Sequence, residues 1–504
     1  MAKSTMSDLA TPDGAGMATV IGRNFSFRLA GQVLSAAINV AAMTLLGNTL
    51  AARGYGEYVF WYALVPMIGS LSDLGIGVIV TREIARDPAR GRRTLGDALM
   101  IKGAVSVALL IAAGVTAPIF FDPATALLVV LITATALVDF GQDVGIWVAR
   151  GHDRQDLEAL LLLLSQVVRL AGLGLCAVFH ASLPMFLATT TVAFGLRMLA
   201  GGWVAIARFG TPIFAPNWAR LRHLVREGLP FGLAMLAVVV YGRVGVLLLK
   251  GMATDADVAF FNVGYMLSQP LGFISSAFSV SAFPSLSRVA VVGPSAVRPV
   301  LRRAVKFQLI SALPLTVGLF ALADRIVPIL LKGADFAQAG VALQVMSVGF
   351  VFIFLNLMAR YVLTALDSQR TYFLAILAGL VVNVAVSLLL IGRYGAAGAC
   401  AALIAGELTV VVICAAALAK YLPLADWWRE VPRPLAAALA MGLVVNAFRE
   451  ANLVVVAAAG ALVYSAMLIV VRALSVDELR TIRGIYVSFR LPGSAYLARA
   501  GKRS

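Results

Sequence analysis

Predominantly apolar runs recur along the chain from Phe25 to Val471, separated by short charged breaks. A hydrocarbon core about 30 Å thick takes roughly 20 helical residues to cross, so each run reads as a membrane-spanning helix. The runs are too long and alternate too little for barrel strands, and a helix satisfies its own backbone polar groups in lipid. Fourteen spans are predicted, at 25-47, 57-80, 98-120, 125-149, 158-180, 185-207, 229-250, 257-283, 304-331, 337-364, 372-391, 396-419, 434-448 and 452-471. The fold class is therefore all-α polytopic membrane protein. The longest internal breaks, 81-97, 208-228, 284-303 and 420-433, fall on one face. The loops of the other face run only a few residues, which leaves no room for an extramembrane catalytic domain.

The sequence also repeats itself. Residues 147-175 (WVARGHDRQDLEALLLLLSQVVRLAGLGL) align without a gap on 361-389 (YVLTALDSQRTYFLAILAGLVVNVAVSLL), pairing Asp153 with Asp367, Gln155 with Gln369 and Arg169 with Asn383. Both copies occupy the link after a fourth helix if helices 1 to 6 repeat as 7 to 12, a construction used by secondary transporters. The expected organisation is a tail at 1-24, an N-lobe at 25-228, a C-lobe at 229-433, two further helices at 434-471 and a basic tail at 472-504. In that last tail Ser475 and Glu478 have capping-box spacing for a short helix, and its cations suit anionic headgroups. Residues 1-24 lack the basic start and apolar segment of a cleavable signal, so the first helix is expected to direct insertion.

Composition agrees with a membrane chain: 61% of the 504 residues are hydrophobic, mean hydropathy is +0.92 and only 13% are charged, about half the share of soluble domains. The net charge of +16 raises the question of nucleic acid. Sorted by predicted location, however, 28 of the 41 Lys and Arg lie on one face, hereafter the basic face. Four lie on the other (Arg53, Lys332, Arg393, Arg449) and nine within spans. The positive-inside rule makes the basic face cytoplasmic with both termini on it, and no nucleic acid is needed to explain the charge. Cys176, Cys400 and Cys414 fall in spans, and His152, His180 and His223 are far apart, so neither a disulfide framework nor a metal motif is present and no cofactor is expected.

The charges inside the membrane are the candidate chemistry. Asp73, Lys102, Asp139, Asp143, Arg169, Arg197, Arg243, Arg360 and Glu407 all fall within spans. Each costs roughly 2.5 to 3.5 kcal/mol at a bilayer centre on insertion scales, so such residues face protein or water. Asp139 and Asp143 lie one helical turn apart and share a face. Either they pair with Arg169, Arg197 or Lys102 on neighbouring helices, or they line a hydrated cavity where close carboxylates share a proton. Guanidinium stays charged and grips phosphate oxygens in pairs, so Arg169, Arg197, Arg243 and Arg360, with Lys102, suit an anionic, phosphate-bearing substrate. Arg243, in GLAMLAVVVYGRVGVLLLKG, lies too deep to snorkel easily. Asp139, Asp143, Asp73 and Glu407 are candidates for ion coupling or charge balance. Pro66, Pro270 and Pro314 fall inside spans, where they loosen helices.

Residues 48-86 (NTLAARGYGEYVFWYALVPMIGSLSDLGIGVIVTREIAR) resemble the first loop and second helix of bacterial polysaccharide flippases, the O-antigen and exopolysaccharide repeat-unit transporters. These belong to the multidrug, oligosaccharidyl-lipid and polysaccharide exporter superfamily. Residues 259-288, 329-350 and 380-407 are similar to the same family, so the resemblance covers nearly the whole chain. It implies two six-helix lobes around a central cavity plus two C-terminal helices. It implies export of undecaprenyl-diphosphate-linked glycan across the bacterial cytoplasmic membrane by alternating access driven by an ion gradient, with a polysaccharide polymerase and a chain-length regulator as partners. Asn383 matches an asparagine usual in the eleventh helix; a second one a few residues later is replaced by Ser387 and Leu388, so no site role passes to that segment.

Three alternatives stand beside this reading. A multidrug and toxin antiporter of the same superfamily wants acidic and aromatic cavity residues, against which the intramembrane arginines argue. A membrane glycosyltransferase, polymerase or ligase needs a large loop or catalytic domain. A lipid II flippase uses the same fold and a cationic cavity.

Overall fold

The computed structural model describes residues 14–473. Residues 1–13 and the tail from 474, with the expected cap at Ser475, lie outside the described residues. All described secondary structure is helical. In chain order the helices are α1 (Gly14–Asp73), α2 (Ile76–Arg86), α3 (Pro88–Phe120), α4 (Pro123–Gly151), α5 (Gln155–Val178), α6 (Leu183–Phe209), α7 (Trp218–Met252) and α8 (Asp255–Ser268). They continue with α9 (Gly272–Ala290), α10 (Pro294–Leu330), α11 (Ala337–Val348), α12 (Phe350–Ala365), α13 (Gln369–Leu418), α14 (Leu424–Glu430), α15 (Pro432–Ala447) and α16 (Leu453–Val470).

Nine of the described helices are long and apolar enough to cross a membrane, ten counting the pair bent by 43° around Gly349. These account for twelve of the fourteen predicted spans, because α1 and α13 each hold two. The 60-residue α1 breaks at Ala51 (φ 54°) and the 50-residue α13 at Gly395 (φ 50°), left-handed positions at which the chain doubles back. The fold-back of α13 brings Gly379 against Gly406, where a Cβ would meet the Gly406 carbonyl at 2.9 Å. The eighth span is α8 and α9, interrupted by a 3₁₀ turn at Gln269–Leu271 that contains Pro270. The thirteenth is the 16-residue α15.

Several helices start ahead of their predicted spans: α1 at Gly14, α7 at Trp218 and α10 at Pro294. Hydropathy marks the length embedded in hydrocarbon, whereas a helix continues into the headgroup layer for as long as its backbone pairs. The predicted tail at 1-24 is thus helical from Gly14. Lipid-facing surfaces carry apolar stripes, as on α3, where Val107, Ile111, Val115 and Ile119 are exposed at four-residue spacing.

The two aligned segments fold alike. The Asp153 N–H donates to Arg150 O (3.1 Å) and the Arg154 N–H to Ala149 O (2.8 Å). The Asp367 N–H donates to Thr364 O (3.2 Å) and the Ser368 N–H to Leu363 O (2.8 Å). Asp153 and Asp367 have φ 55° and 53°, the left-handed cap of a Schellman motif, which Asp tolerates better than most residues. α5 and α13 then begin at the matched Gln155 and Gln369.

Two six-helix lobes meet along α1 against α8 and along α2 against α7, and α15 and α16 pack on α10 of the second lobe. Both seams depend on glycine. A Cβ at Gly56 would sit 1.6 Å from Asp255 O, and one at Gly75 (φ 72°) would sit 2.4 Å from Gly228 O. On the basic face the seam is tied by Arg82 to Glu227 (2.7 Å) and Arg220 to Asp97 (3.1 Å). On the other face the Asn48 amide donates to Leu330 O (3.1 Å) and accepts from the Lys332 N–H (2.6 Å).

Candidate functional site

Where the lobes meet, a cavity of about 310 Å³ lies between both legs of α1, α5, α7, α8 and the start of α9. Helical periodicity explains the lining from α1, with Ser35, Asn39, Met43 and Leu46 on the first leg and Tyr55, Tyr58 and Tyr62 on the second. Among the described residues, two cations, Arg169 from the N-lobe and Arg243 from the C-lobe, line it together with Gln166, Asn262, Tyr265 and Gln269, and no acidic residue does.

Arg169 is buried. Its Nη2 donates to Asn39 Oδ1 (2.5 Å) and its Nη1 to Tyr62 Oη (3.1 Å), and the guanidinium carbon sits 5.5 Å from the Tyr62 ring centroid. Both acceptors are neutral, and Nε has no hydrogen-bond partner among the described residues. Arg243 lies over the Tyr265 ring at 5.6 Å and forms no described ion pair. An ionised group taken from water without a counter-charge is costly, and an incoming anion relieves that cost through charge-assisted hydrogen bonds. Two further lining tyrosines have their hydroxyls tied to neighbours. Tyr55 Oη accepts from Asn262 Nδ2 (2.6 Å) across the lobe boundary, and Tyr58 Oη shares a proton contact with Thr190 Oγ1 (3.3 Å). Stacked rings, Tyr58 on Tyr62 and Tyr265 on Phe261, form apolar walls.

The remaining candidates from the sequence do not line this cavity. Lys102, Asp73, Asp139, Asp143 and Arg197 gather inside the N-lobe, among α1, α3, α4 and α6. Lys102 Nζ is 3.8 Å from Asp73 Oδ1 and 4.6 Å from the Trp147 ring centroid. Asp143 lies in the fields of Lys102 and Arg197, and Arg197 in those of Asp143 and Asp139. Both aspartates thus lie within electrostatic range of cations on α3 and α6 and away from the central cavity. Glu407 is buried in the C-lobe, where its Oε2 accepts from Asn356 Nδ2 (2.7 Å) beside Tyr241. Arg360 is exposed and donates to Tyr361 Oη (3.3 Å). Arg169 and its repeat partner Asn383 are both buried, but only Arg169 lines the cavity.

Asn39, Tyr62, Tyr265 and Gln269 are lining residues that sequence reasoning passed over. Neutral polar and aromatic residues are common in spans and carry no penalty that flags them, although Ser35 and Asn39, four apart on a first leg, form a readable polar stripe.

The sequence pattern of the family described as polysaccharide biosynthesis protein matches residues 21–290, and that of the family described as lipid II flippase MurJ matches residues 167–477. No curated protein matches the chain in sequence. Among solved structures, the lipid II flippase MurJ in an inward closed conformation superposes with a TM-score of 0.75 at 14% identity, covering 89% of this chain and 98% of its own. An inward-facing multidrug resistance transporter of the MATE family gives a TM-score of 0.65 at 14% identity, covering 78% and 94%. A transporter of the same MOP superfamily from Pyrococcus furiosus, described as having a binding pocket of reversed polarity, gives 0.54 at 14% identity, covering 82% and 95%. At these identities the superpositions establish the fold.

Proposed function

Because the chain belongs to the polysaccharide biosynthesis protein family, within the superfamily that also holds the lipid II flippases and MATE transporters, we propose that it flips undecaprenyl-diphosphate-linked oligosaccharide repeat units. The units pass from the inner to the outer leaflet of the bacterial cytoplasmic membrane, and the basic face is the cytoplasmic one. The observation that carries this reading is that Arg169 and Arg243, from opposite lobes, share one cavity that no acidic side chain lines among the described residues. Two guanidinium groups hold a diphosphate, the tyrosine walls pack against sugar faces, and the prenyl chain stays in the bilayer. Because each lobe contributes one cation, a bound diphosphate draws the lobes together, which is how a substrate biases alternating access. The N-lobe cluster of Asp73, Asp139 and Asp143 with Lys102 and Arg197, and Glu407 in the C-lobe, serve ion coupling or charge balance. A polysaccharide polymerase and a chain-length regulator act on the product outside.

Deletion of the gene tests this. The expected strain accumulates undecaprenyl-diphosphate oligosaccharide and loses surface polymer, and an Arg243→Ala copy fails to restore it. Normal polymer together with lowered resistance to organic cations would overturn the proposal.

The match of 167–477 to the lipid II flippase family and the 0.75 superposition favour a second reading, in which the cargo is lipid II. A chain whose loss stops growth and is rescued by another lipid II flippase carries the peptidoglycan precursor; one whose loss is tolerated carries a dispensable glycan.

A further inference from the structure

On the outer side of the N-lobe, α3 and α6 both pack on α4 and leave a gap between them. That gap is a groove of about 300 Å³ that shares no residue with the central cavity. Leu95, Leu99, Leu137, Val144 and Ile206 make it apolar, and among the described residues no acidic one lines it. Its width is set by glycine: a Cβ at Gly103 or Gly202 would meet nothing within 4 Å, so those two positions border open space. Lys102 lies at its inner wall and Pro212 at the end nearest the basic face.

The same helical stripes run on to cations. On α3 the lining residues Leu95, Leu99 and Lys102 continue one turn back to Arg92, and on α6 Gly202 and Ala205 continue one turn on to Arg208. Arg92 is held at this mouth, its Nε donating to Thr211 O (2.8 Å) and its Nη2 to Thr211 Oγ1 (3.3 Å), next to Pro212. Its Nη1 is left for a ligand. Arg208 is exposed in the last turn of α6. An apolar slot that runs along α3 from Leu95 to Ser106, about one leaflet deep at 1.5 Å per residue, and is topped by two guanidinium groups has the polarity of one lipid molecule.

We propose that this groove holds a single anionic phospholipid of the leaflet on the basic face, its acyl chain between α3 and α6 and its phosphate on Arg92 and Arg208. The slot is as apolar as the lipid around it, so van der Waals packing holds the chain, and the anionic headgroup is selected by charge. The glycan of the flipped cargo is not accommodated inside it, since Lys102 and Ser106 are the polar side chains of its described lining. The assignment holds whichever glycan the central cavity carries.

Native mass spectrometry of the full chain in detergent, titrated with phosphatidylglycerol or with phosphatidylcholine of the same acyl chains, tests it. The wild-type chain should retain one more phosphatidylglycerol than a Gly103→Leu/Gly202→Leu variant, in which leucines fill the slot. An Arg92→Gln/Arg208→Gln variant, changed only at the mouth, should bind phosphatidylglycerol about tenfold more weakly, down to its affinity for phosphatidylcholine. Equal phosphatidylglycerol retention by all three chains, or equal retention of the two lipids by the wild type, would overturn the proposal. So would displacement of the retained lipid by a lipid-linked oligosaccharide.

Discussion

At the scale of single residues, Arg169 and Arg243 are the two groups placed to hold an anionic cargo. A hydrogen bond to a charged group contributes about 1.5 to 3 kcal/mol, and 1.4 kcal/mol is a factor of ten. Arg169→Ala or Arg243→Ala should therefore lower transport by about tenfold to a hundredfold with unchanged protein in the membrane, read by polymer export against immunoblot. Tyr62→Phe removes one neutral acceptor from Arg169 and should cost only a few-fold. A titratable contact outside the membrane offers a separate check. Asp426 accepts from Arg298 Nε (3.1 Å) and Nη2 (2.6 Å), and this hydrogen bonding holds its carboxyl below the usual carboxylate range. A depressed pKa gives stability that is present above the unfolded value, about 3.9, and lost as pH falls through the folded one. The melting temperature of the purified wild type should exceed that of Asp426→Asn from neutral pH to about pH 5, and the difference should vanish on further acidification. The intramembrane charges were legible in the sequence because the bilayer penalises every one. Which of them share a site was not, since spacing assigns Asp139 and Asp143 to one face of a helix but does not say which neighbour that face meets.

At the scale of elements, hydropathy located the spans and the quoted repeat located a matched pair of turns, with Asp153 and Asp367 in the same left-handed cap. Pro270 marked the break at 269–271, but hydropathy did not locate those at Leu74 and Gly75 and at Gly349, because a kink changes backbone direction without changing how apolar the residues are. The seams between lobes are specified by such positions. Gly56 approaches backbone on α8, and overpacking costs about 1 to 3 kcal/mol where neighbours cannot give way. Gly56→Val should loosen the seam on the face opposite the basic one and lower the melting temperature of the purified protein by several degrees. Gly75→Ala adds left-handed strain to a backbone contact and should be at least as severe. In contrast, alanine at Gly103, where the space is open, should leave the melting temperature unchanged.

At the scale of the whole molecule, the lobes are tied on both faces, by Arg82–Glu227 and Arg220–Asp97 on one and by Asn48 with Leu330 and Lys332 on the other. A cavity between two tied seams fits a carrier that opens one side at a time. Removing the acids of the basic-face ties, with Glu227→Gln and Asp97→Asn together, should speed labelling of an Asn262→Cys reporter in the cavity by a charged maleimide applied from that face. The decisive measurement is flipping itself: proteoliposomes holding the purified chain, an undecaprenyl-diphosphate oligosaccharide labelled on its glycan, and a membrane-impermeant reagent that reads the label on the outer leaflet. The account predicts that the wild type equilibrates the label across the bilayer and that Arg169→Ala/Arg243→Ala does so no faster than protein-free vesicles. Equal flipping by the double variant and the wild type would contradict it.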